Sequence, residues 1–259
     1  MSDRYQAPED PFREEFALHP NSPSMHSKWH QWGITHHMTM AGAAFEGTVP
    51  ELLTSRVDSD LEADLRQESV DSRSKWDLLG MAVYTHDLGK FTKRQYTKTT
   101  EGPIFGFGGH EAESGAIIRA WHDRFSEFGL TGAQVEYIAR CAELHFELGK
   151  LRSAAKQTKD GYCIAYMATQ AFRNMAYLIQ RSYIDYKREI GIIFLADSLA
   201  KTDVHVGLAA HTDEANEAIT TSMEEVIATR GLSRTLLPAA KQIAINMAAG
   251  TEYLKLAIS

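Results

Sequence analysis

The dipeptide His86-Asp87, in the stretch Met81-Ala-Val-Tyr-Thr-His86-Asp87-Leu-Gly-Lys90, sets an imidazole beside a carboxylate at the end of an apolar run and just before a glycine. Two such groups can close on one metal ion from the first turn after a helix. The pair has company: His36-His37 upstream, then His110, His145 and Asp197 downstream, each in a stretch that reads as helix with apolar neighbours. The order His, His-Asp, His, His, Asp is that of a buried metal centre. Imidazole and carboxylate donors suit divalent Mn, Fe, Co, Ni, Zn or Mg, and the absence of cysteine from the set speaks against a structural zinc. Asp197 ends the apolar run Phe194-Leu-Ala, where an isolated carboxylate is costly to bury without a cation. Asp203 is its rival, with a less apolar approach.

These residues need helices to hold them. Ile34, Met38, Ala41 and Phe45 recur at i, i+4, i+7 and i+11, which predicts an amphipathic helix carrying the first histidines. Trp76 to Thr85 is apolar apart from Asp77, as a buried helix is, and Gly89 follows at a C-terminal position. Val57 to Asp71 carries Asp58, Asp60, Glu62, Asp64 and Glu68 beside few large apolar groups, and reads as a surface helix or loop with solvated charges. Thr97 to Gly109 is a glycine-rich loop without helical periodicity and outside the strand-turn-helix context of a nucleotide fingerprint. We expect it to act as a flap, with Phe105 and Phe107 closing on a substrate. Further helices are expected over 111–127, 131–147 with Thr131 as N-cap, 162–187, 189–203, 213–230 and 234–256. The fold class is therefore all-α. Residues 1–25, punctuated by Pro8, Pro11, Pro20 and Pro23, read as an extended lead-in to a single helical domain over 26–259.

Thr85-His86-Asp87-Leu88-Gly89-Lys90, followed by Phe107-Gly-Gly-His110-Glu111 and Ala142-Glu143-Leu144-His145, resembles the HD-domain metal-dependent phosphohydrolases. It is most similar to the HD domain behind bacterial tRNA nucleotidyltransferases, which shares the Gly-His-Glu element. The likeness covers about residues 28–205, and no nucleotidyltransferase head precedes it. It implies an HD-domain helical bundle with peripheral C-terminal helices, and phosphatase or 2′,3′-cyclic phosphodiesterase chemistry. It also implies a first metal site of His86, Asp87, Asp197 and one of His36 or His37. A second ion held with His110 and His145 would share Asp87 and a water with the first.

His36 is preferred, because Met38, Met40 and Ala41 follow it at +2, +4 and +5 as apolar residues follow the family's first ligand. His37 is the alternative, nearer the Ile34, Ala41 and Phe45 face on a helical wheel. Lys90 is a candidate to hold a phosphate oxygen, and Glu111 to orient a ligand or relay a proton. Lys201 is either a substrate contact, a partner for Asp197 or a solvated side chain. His19, His26, His30, His122, His205 and His211 fit no place in this scheme. The same ligand types also describe HD-fold di-iron oxygenases, and a regulatory module with a vestigial site is a third class.

Composition bounds the partners. With 259 residues, 44% of them hydrophobic, and a formal net charge of −7, the chain can build one sizeable core but lacks the basic face that grips duplex nucleic acid. A small phosphorylated substrate or a nucleic-acid end is the expected partner, and an oligomer is compatible with the sequence. Cys141 and Cys163 lie in apolar stretches and read as buried thiols rather than a disulfide framework. Acidic residues at Glu9, Asp10, Glu14 and Glu15 do not fit a signal peptide, and no run approaches the ~20 apolar residues of a membrane span. A cytoplasmic location without membrane contact is expected.

Overall fold

Every residue from Glu189 to Leu199 is buried, so the helix that carries them runs through the centre of the molecule. The computed structural model describes residues 30, 33–99, 102–156, 164–201 and 237–259. The lead-in over 1–25, the helix expected over 213–230, Cys163 and Asp203 lie outside them. In chain order the described helices are α1 (Ile34–Glu46), α2 (Thr48–Leu52), α3 (Leu61–Gln67), α4 (Lys75–Thr85), α5 (Lys90–Lys93), α6 (His110–Ala120), α7 (His122–Glu127), α8 (Gly132–Leu144), α9 (Gly149–Lys156), α10 (Gln170–Ser182), α11 (Lys187–Leu199) and α12 (Leu237–Ile258). The fold is an all-α bundle, and no described helix is long and apolar enough to cross a membrane.

The central helix α11 is flanked by α12 on one side and by α1, α4 and α8 on the other. Its small residues allow close approach to α12: a Cβ on Gly191 would meet the Leu254 side chain at 2.5 Å. Helix α8 begins with a full capping box, in which Thr131 Oγ1 accepts from the Gln134 backbone and Gln134 returns an acceptor to the Thr131 N–H. Helix α4 is capped by Ser74, whose side chain accepts from the Asp77 N–H. Both helices stop where a ligand candidate begins, α4 at His86 and α8 at His145.

One expectation is refined and two are corrected. The acidic segment does form a surface helix, α3, but Leu61 and Leu65 bury one side of it completely enough to anchor it in the core. The helix expected over 111–127 is broken at Trp121, whose backbone leaves the helical region (φ −93°, ψ 16°) and separates α6 from α7. The glycine-rich segment is partly a hairpin: β3 (Gln95–Thr99) pairs antiparallel with β4 (Gly102–Gly106), Gln95 opposite Gly106 and Tyr96 opposite Phe105. A second, two-residue-per-strand hairpin joins α3 to α4 through β1 (Ser69–Val70) and β2 (Arg73–Ser74).

Cys141 is buried and unpaired, as the sequence predicts, and it sits beside a buried carboxylate. Glu189 is 1% exposed, accepts from the Tyr137 hydroxyl at 2.9 Å through Oε1, and its Oε2 has no hydrogen-bond partner among the described residues. Burial pushes its pKa up, outweighing the Tyr137, Lys75 and Arg188 contacts that favour the charged form. A carboxyl whose pKa is raised by folding stabilises fully below its unfolded pKa, and that contribution is lost as pH rises through the folded value. Glu189→Gln cannot ionise and keeps an acceptor for Tyr137. Its stability relative to the parent should therefore widen with pH above about 4.5, at no more than about 1.4 kcal/mol per pH unit. Urea unfolding at pH 5, 7 and 8.5 checks this; a constant or narrowing difference contradicts it.

Candidate metal centre

Two ligand groups share one carboxylate. His37, His86, Asp87 and Asp197 bring their donor atoms within 4.8 Å of one another, and so do Asp87, His110 and His145. All but His110 are buried. Asp87 divides its oxygens between the two: Oδ2 lies 3.4 Å from His37 Nε2 and 3.4 Å from His86 Nε2. Its Oδ1 lies 3.3 Å from His110 Nε2 and 3.6 Å from His145 Nε2. Asp197 closes the first group, with Oδ1 2.9 Å from His37 Nε2 and 3.7 Å from His86 Nε2.

Local backbone fixes the orientation of each ring. His86 follows α4 and donates its Nδ1–H to the Val83 carbonyl at 2.7 Å, and His145 follows α8 and does the same to Ala142 at 2.7 Å. His110 opens α6 and donates to Phe107 at 2.7 Å. His37, in the middle of α1, reaches across to the Ala200 carbonyl at 3.1 Å, just past α11. A carbonyl only accepts, so each Nδ1 must carry the proton and each neutral ring offers a bare Nε2 lone pair. Those lone pairs face carboxylate oxygens.

Acceptor against acceptor is repulsive unless a cation lies between them. Consistent with this, His86 Nε2 and Asp87 Oδ1 have no hydrogen-bond partner among the described residues. The residues thus fit a metal ion in three respects: donor type, tautomer and orphaned buried atoms.

The charges in the cluster answer to the same demand. Burial works against a charged His86, yet Asp87 and Asp197 outweigh it and push the imidazole up to about 9. Burial would raise both carboxyls, but Lys90 and His86 hold Asp87 well below the usual carboxylate range, and Lys201 with His37 does the same for Asp197. Burial drives His145 down to about 3, helped by the charge on His86. Burial also lowers His37 against the pull of Asp197.

The structure brings together His86, Asp87, His110, His145 and Asp197 as the sequence places them, but with His37 rather than His36. On α1 the inward side carries Ile34, His37, Met38, Ala41 and Phe45, and His36, one residue round, is only half-buried. Of the alternatives for Lys201, the structure shows the partner for Asp197. It is not solvated: it is 4% exposed, with Nζ 3.4 Å from Asp197 Oδ1. Lys90 is buried with Nζ 2.6 Å from Asp87 Oδ2, and 5.5 Å from the centre of the Phe107 ring.

Phe107 packs against the small apolar cluster of Ile34 and Met38, and the Arg94 guanidinium covers the Phe105 ring at 3.8 Å. Neither ring stands free to close on a ligand, as the flap reading requires. Glu111 Oε2 lies 3.3 Å from His110 Nδ1 and takes no place in either ligand group.

Sequence reasoning missed His30. Its ring stands edge-on to that of His37, centroids 4.8 Å apart, and its Nδ1 is closed off from solvent without a hydrogen-bond partner among the described residues. Burial, then Lys201, His37 and Lys90, hold its pKa well below the usual histidine range. No periodicity in the sequence around it could have flagged this placement. His122, by contrast, is exposed at the start of α7.

A cleft of about 920 Å³ is lined by Glu111, Arg140, Glu143, Phe146, Lys150 and Tyr183 among others, and by no residue of either ligand group. Gly109 and Glu111 on its wall flank His110, and Leu144 and Phe146 flank His145. Its charges are paired: Arg140 with Glu143 at 2.8 Å and Lys150 with Glu147 at 2.9 Å, while Arg119 also holds Glu143. Compared with known proteins, the chain matches no family model and no curated protein, so the functional argument rests on this geometry.

Proposed function

We propose that the protein is a metal-dependent phosphohydrolase of the HD-domain type, acting on a phosphomonoester or phosphodiester. The observation that carries the reading is the division of Asp87: Oδ2 towards His37 and His86, Oδ1 towards His110 and His145. One carboxylate shared by two histidine groups is suited to two divalent ions side by side, which is the arrangement of many phosphoryl-transfer sites. His37, His86, Asp87 and Asp197 would hold one ion, and Asp87, His110 and His145 the other. Divalent ions bound there would polarise phosphoryl oxygens and lower the pKa of a water.

The remaining work falls to this chain's own groups. The four backbone carbonyls on the Nδ1 atoms fix each imidazole as an Nε2 donor and raise its basicity. Lys90 and Lys201 set two ammonium groups against the carboxylates, so a phosphate approaching the cluster meets positive charge from the protein as well. The cleft lined by the sequence neighbours of His110 and His145 has the size of a small-molecule site, and it would take the organic part of a substrate that reaches past those two ligands. The donor set does not single out one metal among Mn, Fe, Co, Ni, Zn and Mg.

The test is phosphate or nitrophenol release from p-nitrophenyl phosphate and bis-p-nitrophenyl phosphate, with each metal and after chelation. We expect turnover that is lost with the chelator and restored by one or more of the ions. No release with any ion, together with oxygen uptake by the iron-loaded protein, would sink the hydrolase and favour an oxygenase.

A further inference from the structure

The five imidazoles form a chain of edge contacts. His30 stands on His37, His37 on His86 at 5.4 Å between centroids, His86 on His145 at 4.9 Å, and His145 on His110 at 5.2 Å. Four of the five commit Nδ1 to a backbone carbonyl. His30 does not: its Nδ1 is buried and has no hydrogen-bond partner among the described residues. An unmatched buried nitrogen is costly and calls for a ligand or a functional explanation, and in the Nδ1–H tautomer it is a donor without an acceptor.

The surroundings say what that ligand is. His30 packs on His37, whose Nε2 touches both carboxylates, at 2.9 Å to Asp197 and 3.4 Å to Asp87. Each carboxylate carries a buried lysine, Lys201 on Asp197 and Lys90 on Asp87. Lys201 and Lys90 are also the cations that act on His30 itself, so the ring lies within reach of the charge of both ammonium groups. Two lysines disfavour a cation there, and an oxyanion can accept from all three nitrogens at once.

We propose that His30, Lys90 and Lys201 form an oxyanion-binding corner, in which His30 donates a hydrogen bond to a non-bridging oxygen of the substrate's phosphate. The inference rests on reading the cluster as a phosphate-ester site and adds to it a binding residue. Lys90 and Lys201 also brace the carboxylates, so their substitution would confound two effects, whereas His30 can be changed alone.

The experiment titrates inorganic phosphate into the manganese-loaded protein by calorimetry, with metal content measured on the same samples. His30→Phe keeps a ring against His37 and removes the nitrogen; His30→Asn restores an amide nitrogen close to the Nδ1 position. We expect equal metal content in all three proteins, phosphate affinity lowered roughly tenfold to hundredfold in His30→Phe, and affinity within about threefold of the parent in His30→Asn. The proposal is overturned if His30→Phe binds phosphate like the parent, if both variants weaken equally, if the loss follows a loss of metal, or if the parent binds no phosphate. A parent that binds phosphate through His30 yet hydrolyses no ester refutes the hydrolase and leaves the corner standing.

Discussion

Asp87→Asn should lose metal from both ligand groups at once, to below roughly a tenth of the parent's content, and with it at least about 10³-fold of any metal-dependent turnover. Asp87 is the only residue in both groups, and the two sides use different oxygens of its carboxylate. Asparagine keeps the shape but carries no charge and offers one oxygen where two are needed. His145→Ala removes a ligand from one side only, so it should spare the group of His37, His86, Asp87 and Asp197.

The stability readout separates chemistry from collapse. Lys90 loses the charge of a partner 2.6 Å away in a buried setting, which costs on the order of 3 kcal/mol. A chain of this size shifts by about 2–4 °C per kcal/mol, so a melting temperature lower by roughly 6–12 °C with unchanged helical circular dichroism is expected. Atomic emission on the purified variant decides the matter. Parental metal content in Asp87→Asn would mean that the ions sit elsewhere.

What the sequence made legible is what local pattern can encode. His86 and His145 each close an apolar helical run, and the run's end is visible in the residues themselves. Helix α8 announces its start through Thr131 and Gln134. The preference for His36 failed because it followed the family's pattern of apolar residues after the first ligand, whereas the helical wheel, which sets His37 on the Ile34, Ala41 and Phe45 face, carried the right signal. The deciding contact is with the Ala200 carbonyl, 163 residues away. Lys201 stayed open in the sequence for another reason: a lysine after an apolar helix is ordinarily solvated, and only the tertiary placement of Asp197 beside His37 draws it inside.

The hairpin of β3 and β4 escaped because neither Gln95–Thr99 nor Gly102–Gly106 alternates apolar and polar residues as a strand signal does. His30 itself lies in neither helix nor strand, and its place against His37 shows only in the folded chain.

Gly89→Ala is expected to damage the site more than any other one-carbon change near it. Gly89 adopts φ −63° and ψ −19°, which alanine tolerates, so the glycine is required by space and not by backbone conformation. An added Cβ would lie 2.1 Å from the His110 carbonyl oxygen, 2.7 Å from the Ser114 nitrogen and 2.9 Å from Glu113 Cβ. The first two are backbone atoms of α6, so no side chain can swing aside to make room. The Gly89 N–H donates to Ser114 Oγ at 2.8 Å, and that hydroxyl donates to the His110 carbonyl at 2.8 Å, clamping the start of α5 to the first turn of α6. Relieving the clash requires α6 to move by on the order of 1 Å, and His110 opens that helix. Metal–ligand distances tolerate only about 0.2 Å.

The variant should therefore retain metal in the His37 group, lose it from the His110 group, and lose about 10²-fold or more in turnover through misplacement alone. Overpacking should lower stability by about 1–3 kcal/mol. Gly108→Ala provides the contrast, since a Cβ there meets nothing within 4 Å. It should leave metal content and turnover unchanged. Equal behaviour of the two alanine variants would show that the contact between Gly89 and α6 does not position His110.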